Sequence, residues 1–171
     1  MRNDERRVGR EELMREAVPG RKAGIVHLRM VREERSLYGM GRLQSPGHSV
    51  EIVRPLLEAS DREMLVVLSL TVKMEPLALE IVAVGGIRGC CMEVGNIFKH
   101  SLLNNAAGVM CFHNHPSGDP GPSGHDYRFT RQVKKAGRLL GIELVDHIII
   151  GREGFYSFKE HGEIDAGVDV S

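Results

Sequence analysis

The sequence predicts a single three-layer α/β domain on a mixed β-sheet, preceded by a short charged extension. Three observations predict it. The chain has 171 residues and is 42 % apolar, enough to build one real core. Its apolar runs and amphipathic stretches follow the order strands, helix, strand, helix, strands, which sets helices against a shared sheet. Two of the runs are separated by only six residues, so they should pair as an antiparallel hairpin.

In chain order, residues 1–20 are charged, end in Pro19-Gly20, and read as a short helix or a disordered arm. Gly24 to Val31 partly alternates apolar and polar residues, the pattern of an edge strand. Ser45-Pro-Gly-His48 punctuates the chain before an amphipathic helical stretch, Val50 to Ala59, with Leu56 and Leu57 as its expected buried stripe and Pro55 shortening or kinking it. Met64–Leu70 and Leu77–Val84 are the hairpin strands, and Gly85-Gly86 ends the second. Asn96 to Asn105 carries apolar residues at 97, 98, 102 and 103, near helical spacing. Gly108 to Phe112 is an apolar run that reads as a buried strand. A helix is expected from about Ser123 to Leu140, then a buried strand over Glu143–Ile150 and a short one over Gly154–Phe158. The tail after Gly162 should fray. Domain limits follow at 1–41, 42–165 and 166–171.

The chemistry concentrates after the central apolar run. His113 and His115 lie two residues apart, so an extended backbone turns both imidazoles to one side. Pro116-Ser-Gly-Asp-Pro-Gly-Pro122 admits neither helix nor central strand and must turn away. The next helix then opens on Ser123 and carries Asp126 in its first turn, in a capping-box spacing with Asp in place of the usual Glu. Two imidazoles and a returning carboxylate make three ligands for a tetrahedral divalent metal, with the fourth position left open as in catalytic sites. A metal hydrolase also needs a base, and Glu80 is the best placed by sequence, mid-strand between Leu79 and Ile81. Facing solvent is its structural alternative. Ser123 can cap the helix and also stabilise an oxyanion. Cys111 shares strand parity with the two histidines, although core packing suits it better; His125 is peripheral, and His147 reads as a structural hydrogen-bonding residue rather than a ligand.

His113-x-His115, seven residues, Ser123, two residues, Asp126, with Glu80 upstream, is similar to the signature of the MPN+/JAMM metalloprotease superfamily. Asn104-Asn-Ala-Ala, His113-Asn-His-Pro-Ser-Gly-Asp, Leu139-Leu-Gly-Ile142 and Asp146-His-Ile-Ile-Ile-Gly151 narrow the resemblance to its bacterial RadC-like branch, over roughly residues 42–162. The resemblance implies a cytidine-deaminase-like fold and one Zn2+ per chain held by His113, His115 and Asp126. It further implies Glu80 as general acid/base and Ser123 as oxyanion stabiliser, in hydrolysis of a peptide or isopeptide bond. Gly85-Gly86 and Val94-Gly95-Asn96 depart from the Gly-Thr and Pro-Arg-Glu common at those points, outside the inferred ligands. The first 47 residues lack the Gly-containing hairpins of the helix-hairpin-helix region in full-length RadC proteins.

Composition bounds the alternatives. No run approaches the ~18 apolar residues of a membrane span, and the N-terminus lacks a signal-peptide core, so a cytoplasmic location is the expectation. Three cysteines, with Cys90 and Cys91 adjacent, are no disulfide framework. Net charge is zero overall, but residues 1–47 hold 11 Lys/Arg against 7 Asp/Glu. Mixed signs and one tyrosine, Tyr38, in that arm suit at most weak, non-specific DNA binding. A metal-dependent nuclease or DNA-repair-associated factor, and a zinc-stabilised binding module, are the competing functions.

Overall fold

The computed structural model describes residues 41–58, 60–85 and 93–164. The expected edge strand at 24–31, Tyr38, Cys90-Cys91 and the tail from 165 lie outside the described residues. Five strands form one sheet in the order β2-β1-β3-β4-β5: β1 (Met64–Leu70), β2 (Pro76–Val84), β3 (Gly108–Asn114), β4 (Glu143–Ile150) and β5 (Phe155–Ser157). Three helices accompany them: α1 (Pro46–Leu57), α2 (Val94–Leu103) and α3 (Gly124–Leu140). Every neighbouring pair is antiparallel except β3 and β4, which run parallel. Parallel neighbours need a long crossover, and here it holds α3. The mixed sheet follows.

β1 and β2 form the predicted hairpin. Its turn is closed by Thr71, whose backbone N–H donates to Glu75 O at 2.9 Å and whose hydroxyl oxygen accepts from Lys73 N and Glu75 N at 3.2 Å each. Pro76 opens β2, the outer strand, where a missing N–H is tolerated.

Side-chain alternation divides the core in two. Val66, Leu68, Leu70, Met110 and Phe112 point to one face and pack on Val50, Val53 and Leu57 of α1. Leu65, Val67, Val109 and Cys111 point to the other and meet Ile97 and Phe98 of α2 and Phe129 and Val133 of α3. The architecture is therefore the expected three layers. Among the described residues no helix is long and apolar enough to cross a membrane.

Three local expectations need correction. α1 begins within the punctuating segment, because Pro46 suits the first helical turn and the Ser45 hydroxyl accepts from His48 N at 3.1 Å. Its buried stripe is Val50, Val53 and Leu57 at helical spacing, whereas Leu56 is 40 % exposed. α2 starts two residues earlier than expected, at Val94, and ends at Leu103. Asn105 cannot continue it, since its φ is 53°.

β4 contains a feature that alternation misses. Val109 pairs with Leu144 but Met110 pairs with Asp146, so Val145 is an extra residue that shifts the register. Beyond it, His147 stands beside Cys111 and shares the face of His113. Gly108 makes room for this bulge: a Cβ there would lie 2.8 Å from Val145 Cγ2.

Candidate metal centre

β3 is buried along its whole length and carries His113 at 0 % exposure, in register with Leu65 and Ile149 on the face covered by α2 and α3. The ladder persists one residue past β3, where His115 N donates to Ile150 O at 3.1 Å. Both imidazoles therefore leave the strand end together. Their Nε2 atoms are 3.1 Å apart. The chain then turns on Gly118, whose φ of 90° favours glycine and whose N–H donates to His115 O at 2.9 Å. The turn brings the Asp119 carbonyl 2.8 Å from His115 Nδ1. A carbonyl only accepts, so Nδ1 carries the proton and Nε2 is the ring's basic nitrogen.

α3 opens on the predicted N-cap. Ser123 Oγ accepts from Asp126 N at 3.3 Å, and Asp126 Oδ2 accepts from Ser123 N at 2.7 Å and from the Ser123 hydroxyl at 2.6 Å. α3 closes on Gly141, at φ 69°. The capping geometry aims the Asp126 carboxylate back at β3. Oδ1 lies 3.3 Å from His113 Nε2, and Oδ2 lies 3.7 Å from His115 Nε2. Burial opposes ionisation of Asp126, but the neighbouring imidazoles of His113 and His115 and the hydrogen bond from Ser123 outweigh it and hold the carboxyl well below its ordinary range. The same carboxylate raises the basicity of His115, against burial.

These three residues fit a divalent cation. Their donor atoms all lie within 4.8 Å of one another. Ligands ~2.0–2.2 Å from a tetrahedral zinc would be separated by about 3.3–3.6 Å; here the two imidazole Nε2 atoms are 3.1 Å apart, and each has a different Asp126 oxygen nearest it, Oδ1 at 3.3 Å from His113 and Oδ2 at 3.7 Å from His115. Two imidazole nitrogens face each other across a buried carboxylate, an arrangement that demands positive charge between them.

The other sequence candidates fall elsewhere. Glu80 pairs with Val67, which pairs with Cys111, so it lies two strands across and two rungs below His113. Strand spacing and rise put their Cα atoms roughly 12 Å apart. Its side chain is 47 % exposed, and Oε2 is 2.7 Å from Nδ1 of the buried His100 on α2. Cys111 packs in the core, where burial pushes its thiol up, with the Asp146 charge adding to the rise. His125 is exposed. His147 is fully buried, and its Nε2 lies 2.9 Å from His113 Nδ1. Sequence reasoning missed His100 and Thr130. Thr130 had a usable signal, since it stands four residues after Asp126 on the same helical face.

A five-stranded mixed sheet between helices, with a His-His-Asp cluster where β3 meets α3, defines a metal-dependent, hydrolase-like domain of the JAB/MPN superfamily. The chain belongs to the RadC-like JAB domain family, which matches residues 43–163. A UPF0758 protein of Listeria monocytogenes serotype 4b is 38 % identical over 120 residues, covering 70 % of this chain and 54 % of that protein. UPF0758 proteins of Shouchella clausii (38 % identity, 70 % of this chain, 52 % of that protein) and Thermotoga maritima (39 %, 61 % and 47 %) are similar as well. The chain spans about half the length of the curated relatives it matches.

Proposed function

We propose that this chain is a zinc-dependent hydrolase that cleaves a peptide or isopeptide bond, with His113, His115 and Asp126 holding one zinc. The observation that carries this reading is the convergence of the two imidazole Nε2 atoms and the Asp126 carboxylate, within 4.8 Å of one another, at the buried end of β3. Three protein ligands, rather than four, are the pattern of catalytic zinc. When bound, zinc supplies Lewis acidity, polarising a carbonyl and bringing the pKa of a water to about 7.

The chain's own residues supply the rest. Glu80, half exposed and on the same face of the sheet, takes the proton of the attacking water and returns it to the leaving amine. Its contact with His100 restrains the carboxylate on the side of α2. Ser123 has one hydroxyl hydrogen, given to Asp126 Oδ2 at 2.6 Å, and in the oxyanion role it turns that hydrogen from the carboxylate to the oxyanion. The turn after His115 keeps that ring's Nδ1 occupied and its Nε2 directed at Asp126.

The test measures zinc content beside turnover of a peptide and isopeptide panel. The unaltered chain should hold close to one zinc, and His113→Ala or His115→Ala should hold none. Glu80→Gln should keep the zinc and lose hydrolysis by about 10²–10⁴-fold. Zinc loss in Glu80→Gln would make Glu80 a ligand and overturn the assigned roles. Cleavage of DNA, lost in the same variant, would replace the peptidase reading with a nuclease one.

A further inference from the structure

His147 and Thr130 are absorbed neither by the zinc ligands nor by the proton-transfer role of Glu80, yet both are buried and their polar atoms form one chain. The Thr130 hydroxyl donates to the Asp126 carbonyl at 2.7 Å. That hydroxyl has one hydrogen, so its second close neighbour, His147 Nδ1 at 2.7 Å, must donate to it. A proton on Nδ1 leaves Nε2 of neutral His147 bare. His147 is fully buried with the rings of Phe129 and Phe158 against it, apolar surroundings that keep the imidazole neutral. His147 Nε2 faces His113 Nδ1 at 2.9 Å, so His113 must be the donor there. With Nδ1 as the donor to His147, Nε2 is the His113 nitrogen left to offer a lone pair, and it is the atom 3.3 Å from Asp126 Oδ1.

We infer that Thr130 and His147 are positioning residues that dictate the tautomer of His113, so that its Nε2 lone pair is committed to the metal. The inference rests on the zinc reading above. Its direction comes from a helix carbonyl, which cannot donate, and passes through two side chains to His113 Nδ1, the ring nitrogen opposite the proposed ligand atom. Packing holds the relay in plane: His147 stacks on Phe158 at 4.8 Å and 10°, and Phe129 meets its edge at 5.3 Å and 66°. The bulge at Val145 is what turns His147 to this face. Asp126 takes part twice, with its side chain as ligand and its backbone carbonyl as the end of the relay. The first turn of α3 thus sets both the carboxylate and, indirectly, the opposing imidazole. Partners that orient a ligating histidine typically change metal affinity by 10–100-fold when removed.

The experiment has two arms. Long-range 1H–15N correlation of the histidine rings, on the metal-free unaltered chain, should show His113 and His147 with the proton on Nδ1. Competition with a chromophoric chelator should show zinc affinity falling about 10–100-fold in Thr130→Val and His147→Phe. Thr130→Ser, which keeps the hydroxyl, should restore it. A purely packing role predicts the reverse order, because valine preserves the shape of threonine better than serine does. The relay is overturned by a His113 proton on Nε2 in the unaltered chain, or by a folded Thr130→Val that binds zinc as tightly as the unaltered chain. Should both weakened variants fail to fold, the ring spectrum of the unaltered chain decides. An unaltered chain that takes up no zinc refutes the metal reading itself, and the relay's purpose with it.

Discussion

Gly151→Ala is the sharpest test of how the turn after β3 controls the metal centre. Gly151 follows β4 and packs against that turn. A Cβ placed there would lie 2.5 Å from Gly118 O, 2.7 Å from Pro120 Cδ and 2.9 Å from Pro120 N. Ordinary contact begins near 3.4 Å, so the nearest atom must retreat by about 0.9 Å. None of these atoms is the end of a flexible side chain, so the loop backbone has to move as a unit. The Asp119 carbonyl lies between Gly118 and Pro120 and holds His115 Nδ1 at 2.8 Å. A displacement of that size stretches the bond to as much as ~3.7 Å, beyond hydrogen-bonding range. His115 then loses the partner that orients it. The expected outcome is a stability loss of about 1–3 kcal/mol from overpacking, with zinc affinity reduced roughly 10–100-fold. Thermal unfolding measures the first and chelator competition the second. Unchanged zinc affinity in a destabilised Gly151→Ala would refute the coupling between this turn and His115.

Ser123→Gly separates the two roles of Ser123: glycine caps helices well, so stability should fall by only a few tenths of a kcal/mol. Hydrolysis should fall about 10²–10³-fold if the hydroxyl serves an oxyanion, and retained turnover would reduce Ser123 to a cap. Asp146 gives a pH test. Burial raises its carboxyl to about 6, against hydrogen bonds from Ser157, Lys159 N and His147 N. A folded value above the unfolded ~3.9 means the stabilising contribution is full below pH ~4 and lost as pH rises through about 6. Asp146→Asn keeps both backbone donors on Oδ1 and can donate to Ser157, so chemical denaturation should show it gaining on the unaltered chain by on the order of 3 kcal/mol between pH 4 and 7. A constant difference across that range would show that Asp146 is not strained by burial. Finally, Arg2, Arg6, Arg7 and Arg10 alternate with Asp4, Glu5, Glu11 and Glu12, so any DNA binding should fade near physiological salt in a filter or anisotropy titration. Salt-resistant binding would count against the peptidase proposal.

Much of the site was legible because its defining relations are local. The spacing of His113 and His115 needs only an extended backbone, and the apolar run before them supplies it. The return of Asp126 needs only a turn that Pro116 to Pro122 enforces and a cap that Ser123 begins. The hairpin of β1 and β2 followed from a short connection. These features hold whatever packs around them.

Other features depend on register and depth, which no local pattern records. Period-two alternation from the buried Leu144 would send His147 to the α1 face; the bulge at Val145 reverses this, and it fits because Gly108 has no side chain to oppose it. Glu80 shares its sheet face with His113 only through the pairing of β2 with β1 and of β1 with β3, and its contact with His100 depends on where α2 lies over that face. The exposure of Leu56 and the burial of Val53 were likewise settled by which side of α1 meets the sheet. Sequence alone determined the ligand-bearing strand, the turn and the capped helix, because each is set by bonds within a dozen residues. Only the tertiary structure decided which distant side chains stand behind those ligands, since a one-residue slip in β4 would remove His147 from the site without altering any neighbour in sequence.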